Sequence, residues 1–434
     1  GIQMSKNVDT DVQMRKRNMK LFPTYKKLAW DYLFYYSIDF LFLTQIKNIS
    51  AANVVLANSI KYLFGIFIQI PANIIVEFLG RRNSIILGNI LNCFYILMFM
   101  MTGNLFDLIL AKFISSLAVS IKDIAEPGLL NASIPPSKYK SNIFAKINAR
   151  GASGFYILSA ISKIIGGFLF EINGYIPMIL CLITLIFVSI VSMLYIEPIK
   201  KSSSKSNASM QIKKQMKDIQ EGFQFILKSE RLKALILSAS LIASFLSIMA
   251  SYRTSLLQDI GTPAYIISFA AAAFSASSAI GAKRQKEFND KFKNKSIIVV
   301  ALMASISAII VGILGLKKEQ SYVLTIIIIL LFLVGKFAHG VFYTIMDRYF
   351  RNFTNKEIDT KIFAVKNLSV NIVSATMGIM ASFLLNKMST AYCMLVLGTI
   401  FTIMYLLMSK YMKVRVGLRP EEYSKFERKY DELK

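Results

Sequence analysis

One histidine, three cysteines and one tryptophan stand in 434 residues, and each scarcity removes a class of function. A metalloenzyme or zinc module needs several imidazole or thiolate ligands at short spacing, and Cys93, Cys181 and Cys393 are far apart. The same three cysteines build no disulfide framework and read as small buried hydrophobes. No HExxH, GxSxG or GxxxxGK[ST] stretch occurs, which argues against a membrane-embedded hydrolase and against ATP-driven pumping by this chain alone. The chain is therefore read as a non-enzyme, with neither a cofactor nor a metal expected. Acids are scarce as well: 25 Asp and Glu face 51 Lys and Arg, for a formal charge of +26.

What the sequence has in plenty is apolar surface, 55% hydrophobic residues with a mean hydropathy of +0.51, more than a soluble fold of this length would bury. Runs of roughly twenty mostly apolar residues recur, each long enough to cross a ~30 Å hydrocarbon layer at 1.5 Å per residue. Backbone amides in lipid must find partners within the chain, and uninterrupted runs of this length fit helices rather than alternating barrel strands. The expected fold is an all-α integral membrane protein of twelve transmembrane helices, near 27–46, 53–79, 84–102, 105–130, 150–170, 175–196, 233–257, 263–282, 297–316, 321–347, 361–386 and 391–411.

Such a charge invites a nucleic-acid reading, but the placement of the basic residues argues against it. Lys6 to Lys27, Arg81 and Arg82, Lys138 to Arg150, Lys200 to Lys233, Lys283 to Lys295, Arg348 to Lys361 and Lys410 to Lys434 all fall on one side of this topology. The other side holds only Lys47, Lys317, Lys318 and Lys387. That is the positive-inside pattern, with both termini cytoplasmic and anionic lipid as the partner of the basic face. No apolar leader with a cleavage site precedes the first helix, which is expected to act as its own insertion signal. The Ile-, Lys- and Asn-rich usage suggests an AT-rich genome and a bacterial inner (plasma) membrane.

The organisation expected is a cytoplasmic tail 1–26, a six-helix bundle 27–197, a basic linker 198–232, a second six-helix bundle 233–411 and a tail 412–434. The linker is Ser- and Lys-rich, then amphipathic around Ile219, Phe223, Phe225 and Ile226, and is expected to lie along the inner membrane surface. Short basic loops, GRRNS at 80–84 and KFKNKS at 291–296, recur after the second helix of each half and hint at a duplication.

The stretch Asn73-Ile-Ile-Val-Glu77-Phe-Leu-Gly80-Arg81-Arg82 resembles the signature Gly-x-x-x-Asp-Arg-x-Gly-Arg-Arg of the major facilitator superfamily, keeping an acid, the glycine and both arginines. Its second-half counterpart is represented by Asp290, Lys291 and Lys295, and the stretch Ser120 to Arg150 is similar to the fourth-to-fifth helix region of bacterial members. The resemblance implies two six-helix pseudo-repeats and alternating access, with Glu77, Gly80, Arg81 and Arg82 as a cytoplasmic gate. Drug–proton antiporters of that superfamily carry Gly-Pro-x-x-Gly-Gly in helix five. Here Gly166 and Gly167 keep the glycine pair, and Lys163 stands at the proline position.

Ionisable residues within membrane helices are costly and are functional candidates by default. Asp39 lies near the middle of the first predicted helix, whereas Asp31, eight residues earlier, is expected at the interface. Helix four carries Lys112, Lys122, Asp123 and Glu126, with Lys122 and Glu126 at the favourable i,i+4 spacing. Lys163 falls in helix five, Arg253 near the end of helix seven, and Lys336 with His339 on adjoining turns of helix ten. Asp39, Asp123, Glu126 and His339 are the candidates for proton or ion coupling. Tyr35, Asp39, Lys112, Lys163, Arg253 and Lys336 are the candidates for lining a substrate cavity.

The function expected is proton-coupled export of amphiphilic small molecules by a monomeric secondary transporter. A basic midplane keeps open the alternative of an anionic or lipid-like solute, moved in either direction. A membrane sensor on the same fold is a third reading.

Overall fold

The computed structural model describes residues 1–198, 208–317, 321–353 and 359–415. The Ser-rich opening of the linker, Lys318 and the tail beyond 415 lie outside the described residues. The described residues form sixteen α-helices in order: α1 Ile2–Ala29, α2 Ile38–Leu41, α3 Ala51–Phe67, α4 Gln69–Leu79, α5 Arg81–Met100, α6 Leu105–Ser133, α7 Lys140–Ile172 and α8 Tyr175–Ser192, then α9 Ala208–Leu227, α10 Glu230–Asp259, α11 Ala264–Lys283, α12 Gln285–Phe292, α13 Ser296–Gly315, α14 Tyr322–Phe353, α15 Asp359–Lys387 and α16 Thr390–Arg415. A turn of π-helix, Phe42–Ile46, extends α2. Nine described helices are long and apolar enough to cross a membrane unbroken, and the bent pair α3 and α4 makes a tenth.

The bend between α3 and α4 is 58°, and its cause is in the sequence. Pro71 has no N–H to donate, and its ring would strike the carbonyl of Phe67 in a straight helix. Helix starts are built locally too: Asn104 Oδ1 accepts from Asp107 N at 2.9 Å while Asp107 Oδ2 accepts from Gly103 N at 3.1 Å. This reciprocal cap begins α6. Ser229 Oγ accepts from Leu232 N at 3.2 Å and begins α10.

Two compact units result, one of Gly1–Ile49 with Phe67–Ile212, the other of Ser50–Ile66 with Lys213–Lys434. In the first, α1 packs on α7, α5 on both α6 and α8, and α4 on α6. In the second, α10 packs on α15, α13 on both α14 and α16, and α11 on α14. The pairing pattern is the same in both, as a duplicated bundle requires. Close approach in the second unit depends on glycine, since a side chain at Gly281 would strike the carbonyl of Phe337 and one at Gly340 that of Ser278. Helix α3 packs within the second unit, where Ser382 Oγ donates to the carbonyl of Ala52 at 2.7 Å and Asn58 Nδ2 to Ser251 Oγ at 3.3 Å.

The first predicted helix is corrected by the structure. No continuous helix covers 27–46: α1 starts at Ile2, ends at Ala29, and the chain from Trp30 to Ser37 is unwound before α2 begins. Phe34 at φ 62° and Ser37 at φ 69° adopt left-handed backbone, a conformation that costs a side-chain-bearing residue about 1–2 kcal/mol. Such strain persists where surrounding contacts over-determine it.

The linker helix α9 docks on its own unit. Gly222 lies against the carbonyl of Lys361, Lys361 Nζ donates to Glu221, and Ile226 is buried. Met216, Phe223 and Leu227 on another face of α9 stay exposed.

Candidate functional site

The break in the first helix is filled by its own aromatic residues. Tyr32 and Tyr35 are buried and pack on each other at 4.8 Å between centroids, and Tyr36 lies 5.0 Å from Tyr35. Asp31 holds the turn by accepting from Tyr32 N at 2.8 Å and Tyr36 Oη at 2.6 Å. The helix end left open at Ala29 is capped from a distance, because Lys122 Nζ on α6 donates to the Ala29 carbonyl at 2.8 Å.

Two layers of polar side chains converge on this break from α5 and α6. In one, Tyr35 Oη and Tyr95 Oη share a hydrogen at 2.5 Å, and Lys112 Nζ donates to Tyr35 Oη at 3.3 Å. Tyr32 Oη donates to Asn92 Oδ1 at 2.7 Å and lies 2.9 Å from Ser115 Oγ. Asp39, in the first turn of α2, interacts electrostatically with Tyr35 and Tyr95.

In the other layer, Tyr25 Oη donates to Glu126 Oε1 at 2.7 Å and accepts from Asn89 Nδ2 at 2.8 Å. Lys122 and Glu126 form the ion pair their spacing allows, at 3.6 Å and buried on both sides. Asp123 is exposed beside it, in electrostatic reach of Glu126, Lys122, Asp31 and Lys26. Lys163 on α7 interacts with Asp31. A side chain at Gly88 would meet Lys122 Cγ at 2.5 Å, so the bare glycine on α5 is what lets the lysine reach across.

The candidates thus divide by unit. Tyr35, Asp39 and Lys112 gather in one layer of the first unit, Asp123 and Lys163 lie in electrostatic reach of Asp31, and Glu126 acts on Asp123. Arg253, Lys336 and His339 belong to the second unit. There Arg253 is 8% exposed with its guanidinium 5.7 Å from the centre of the Phe274 ring. His339 interacts electrostatically with Lys336 and Arg253, and its ring lies 4.7 Å from that of Tyr343.

At the signature stretch, Gly80 takes φ 82° and ψ 173° between α4 and α5, a conformation essentially reserved for glycine. The carboxylate at the N-terminus of α5 is that of Glu197: Arg81 N donates to Oε1 at 3.0 Å and Arg82 N to Oε2 at 2.7 Å. Arg82 also donates from Nε to the Tyr195 carbonyl at 2.7 Å and from a terminal nitrogen to that of Met193 at 2.8 Å. Glu77 accepts from Gln211 Nε2 at 2.6 Å. An added Cβ at Gly80 would stand 3.0 Å from Glu197 Oε1. Gly80→Ala is therefore expected to destabilise the first unit by about 1–3 kcal/mol through backbone strain. A melting temperature equal to the parent's would remove Gly80 from this turn's requirements.

Several of these residues were not among the sequence candidates. Asn89, Asn92 and Tyr95 repeat every third residue through an apolar helix, a polar stripe that could have been read directly. Glu197 gives only the faint signal of an acid closing an apolar run. Asn18, fully buried, donates to Ser133 Oγ at 3.0 Å and the Ile196 carbonyl at 2.8 Å and accepts from Ile196 N at 3.0 Å. Nothing local in the tail announces that role. Among the described residues no group of three or more His, Cys, Asp and Glu side chains is placed to hold a metal.

Comparison with known families matches residues 31–332 to the profile described as Major Facilitator Superfamily. No curated protein matches the sequence. Among solved structures, the nucleoside transporter NupG aligns with a TM-score of 0.68 at 13% identity, covering 92% of this chain and 99% of that one. A bacterial homolog of the human lysosomal transporter Spinster, inward-facing and unoccupied, aligns with 0.64 at 13% identity over 97% and 98%. A POT family transporter in complex with 5-aminolevulinic acid aligns with 0.63 at 12% identity over 92% and 95%. At these identities the structural likeness speaks for the fold alone.

Proposed function

The chain belongs to the major facilitator superfamily and is a multi-pass membrane transporter, and from that premise we propose that it moves an amphiphilic small molecule by proton-coupled alternating access. The observation that carries this reading is the unwound stretch of the first helix, which places the paired Lys122 and Glu126 and the exposed Asp31 and Asp123 around one interruption. Transporters build substrate and ion sites at helix interruptions, because a broken helix frees backbone groups that a continuous helix keeps hydrogen-bonded within itself. Asp31 and Asp123 are two carboxylates within each other's field beside the interruption. Tyr36, exposed over the buried Tyr32 and Tyr35, supplies an aromatic face for an amphiphile. Both termini lie on the cytoplasmic side, the side of the basic loops.

Flux into proteoliposomes tests the reading. An imposed pH gradient should drive accumulation of at least one amphiphile from a panel of lipophilic cations, neutral amphiphiles and organic acids, and an uncoupler should abolish it. Accumulation that ignores the gradient would sink proton coupling, and absence of flux for every class would leave the sensor reading in its place.

A further inference from the structure

Arg253 on α10 is a buried charge of the second unit. It is 8% exposed, and among the described residues its guanidinium takes part in no hydrogen bond and no ion pair, only in the contact over Phe274. Several described acids of this unit are engaged elsewhere. Asp259 accepts from Thr390 Oγ1 at 2.8 Å, Glu287 pairs with Arg284 at 3.0 Å, Asp347 acts on Lys366, and Asp290 acts on Arg348. His339 on α14 lies in electrostatic reach of both Arg253 and Lys336. His339 adds a second unmet need, since its Nδ1 is buried without a hydrogen-bond partner.

A cation held out of water needs a counter-charge, and one that the described residues do not supply can arrive with a ligand. The guanidinium carries five N–H donors in a planar fork that fits the two oxygens of a carboxylate or the face of a phosphate. Phe274 stacks edge-on against Phe332 at 5.9 Å, and His339 lies against Tyr343, so rings surround the charge. An apolar or aromatic body suits them better than a hydrated ion.

We propose that Arg253, with Lys336 and His339, forms an anion subsite in the second unit that takes the oxyanion head of an amphiphilic organic acid. It rests on the transporter reading in one respect only, that the acid bound there is the molecule carried. The argument from Arg253 thereby selects the acidic members among the amphiphiles proposed above.

The test is thermal unfolding of the purified full-length chain in neutral detergent with 2-naphthoate, 2-naphthyl phosphate, inorganic phosphate, phosphatidylglycerol and the uncharged 2-naphthamide. The expected result is saturable stabilisation by one or more of the oxyanions and none by 2-naphthamide. In Arg253→Gln the affinity falls at least about tenfold, and in Arg253→Lys it falls less. Free of ligand, Arg253→Gln should melt at or above the parent temperature, because it removes an uncompensated buried charge. A shift with phosphatidylglycerol alone identifies a lipid headgroup as the source of the oxyanion, and a shift with the naphthyl acids identifies a soluble solute.

Equal binding by parent and Arg253→Gln, equal stabilisation by 2-naphthamide, or no stabilisation by any oxyanion would overturn the proposal. So would a ligand-free Arg253→Gln that melts well below the parent or fails to fold while Arg253→Lys folds, since either marks a structural role for the charge. Binding is measured without a gradient, so the two readings fail separately. An acid that binds but is not transported sinks the function and leaves the subsite standing. Flux of neutral amphiphiles with no acid bound does the reverse.

Discussion

Replacing Lys122 by methionine lowers the melting temperature of the purified chain by roughly 10 °C, from a destabilisation of about 3–5 kcal/mol. The lysine neutralises Glu126 at 3.6 Å and donates to the Ala29 carbonyl at 2.8 Å. Without it Glu126 is left as a buried charge with only the Tyr25 hydroxyl for support, and α1 ends on a carbonyl with its donor gone. The effect exceeds that of a surface pair, worth about 0–1 kcal/mol, because both side chains are out of water. Lys122→Met with Glu126→Gln should recover part of the loss, since the pair then leaves no orphan charge. Equal melting of single and double variants would show that Glu126 is not charged in the folded chain. Gly88→Ala tests the same contact from the other side, as its methyl group would push Lys122 away from both partners.

The second large effect concerns coupling. Asp123→Asn and Asp31→Asn each remove gradient-driven accumulation of the transported molecule while preserving its exchange across the bilayer at equal pH on both sides. One pH unit is worth about 1.4 kcal/mol per proton, about tenfold in accumulation, and the variants should lose that factor in full. Exchange needs only alternating access, whereas accumulation needs a group that changes charge during the cycle. Accumulation retained in both variants, and lost instead in Asp39→Asn, would move the coupling site to the layer formed by Tyr35, Tyr95 and Lys112. Loss of both exchange and accumulation would mark the acids as part of the substrate site rather than of coupling.

How much of this was legible depends on how far apart in the chain the partners lie. The Lys122–Glu126 pair was readable because i,i+4 neighbours on a helix meet whatever surrounds them. The bend at Ile68 falls inside the single helix expected over 53–79, although Pro71 in that run carries its cause. Most helices from Arg81 to Ser192 and from Glu230 to Arg415 follow the apolar runs, although α7 starts at Lys140 rather than near 150 and α12 forms within an expected loop. The break at Trp30 to Ser37 was not legible. Its residues are apolar and aromatic, and nothing in the stretch Trp-Asp-Tyr-Leu-Phe-Tyr-Tyr-Ser forbids a helix. It unwinds because Asn92, Ser115, Tyr95, Lys112 and Lys122, all distant in sequence, offer its hydroxyls and its open carbonyl better partners than the next helical turn. The acid held by the backbone N–H groups of Arg81 and Arg82 lies more than a hundred residues on, at Glu197.

The sequence by itself determined the solvent of this protein, the all-α class, the approximate course of most helices and the family. All of these follow from local quantities: apolar run length against bilayer thickness, charge between runs, and one ten-residue motif. Tertiary structure alone decided that the first helix is broken, that α3 packs within the second unit, that Glu197 holds the start of α5, and that Arg253 is buried with no carboxylate paired to it among the described residues. Each of these is a question of which groups meet across long stretches of chain. A buried charge or an open carbonyl is settled by its nearest partner in space, and one-dimensional order does not say who that partner is.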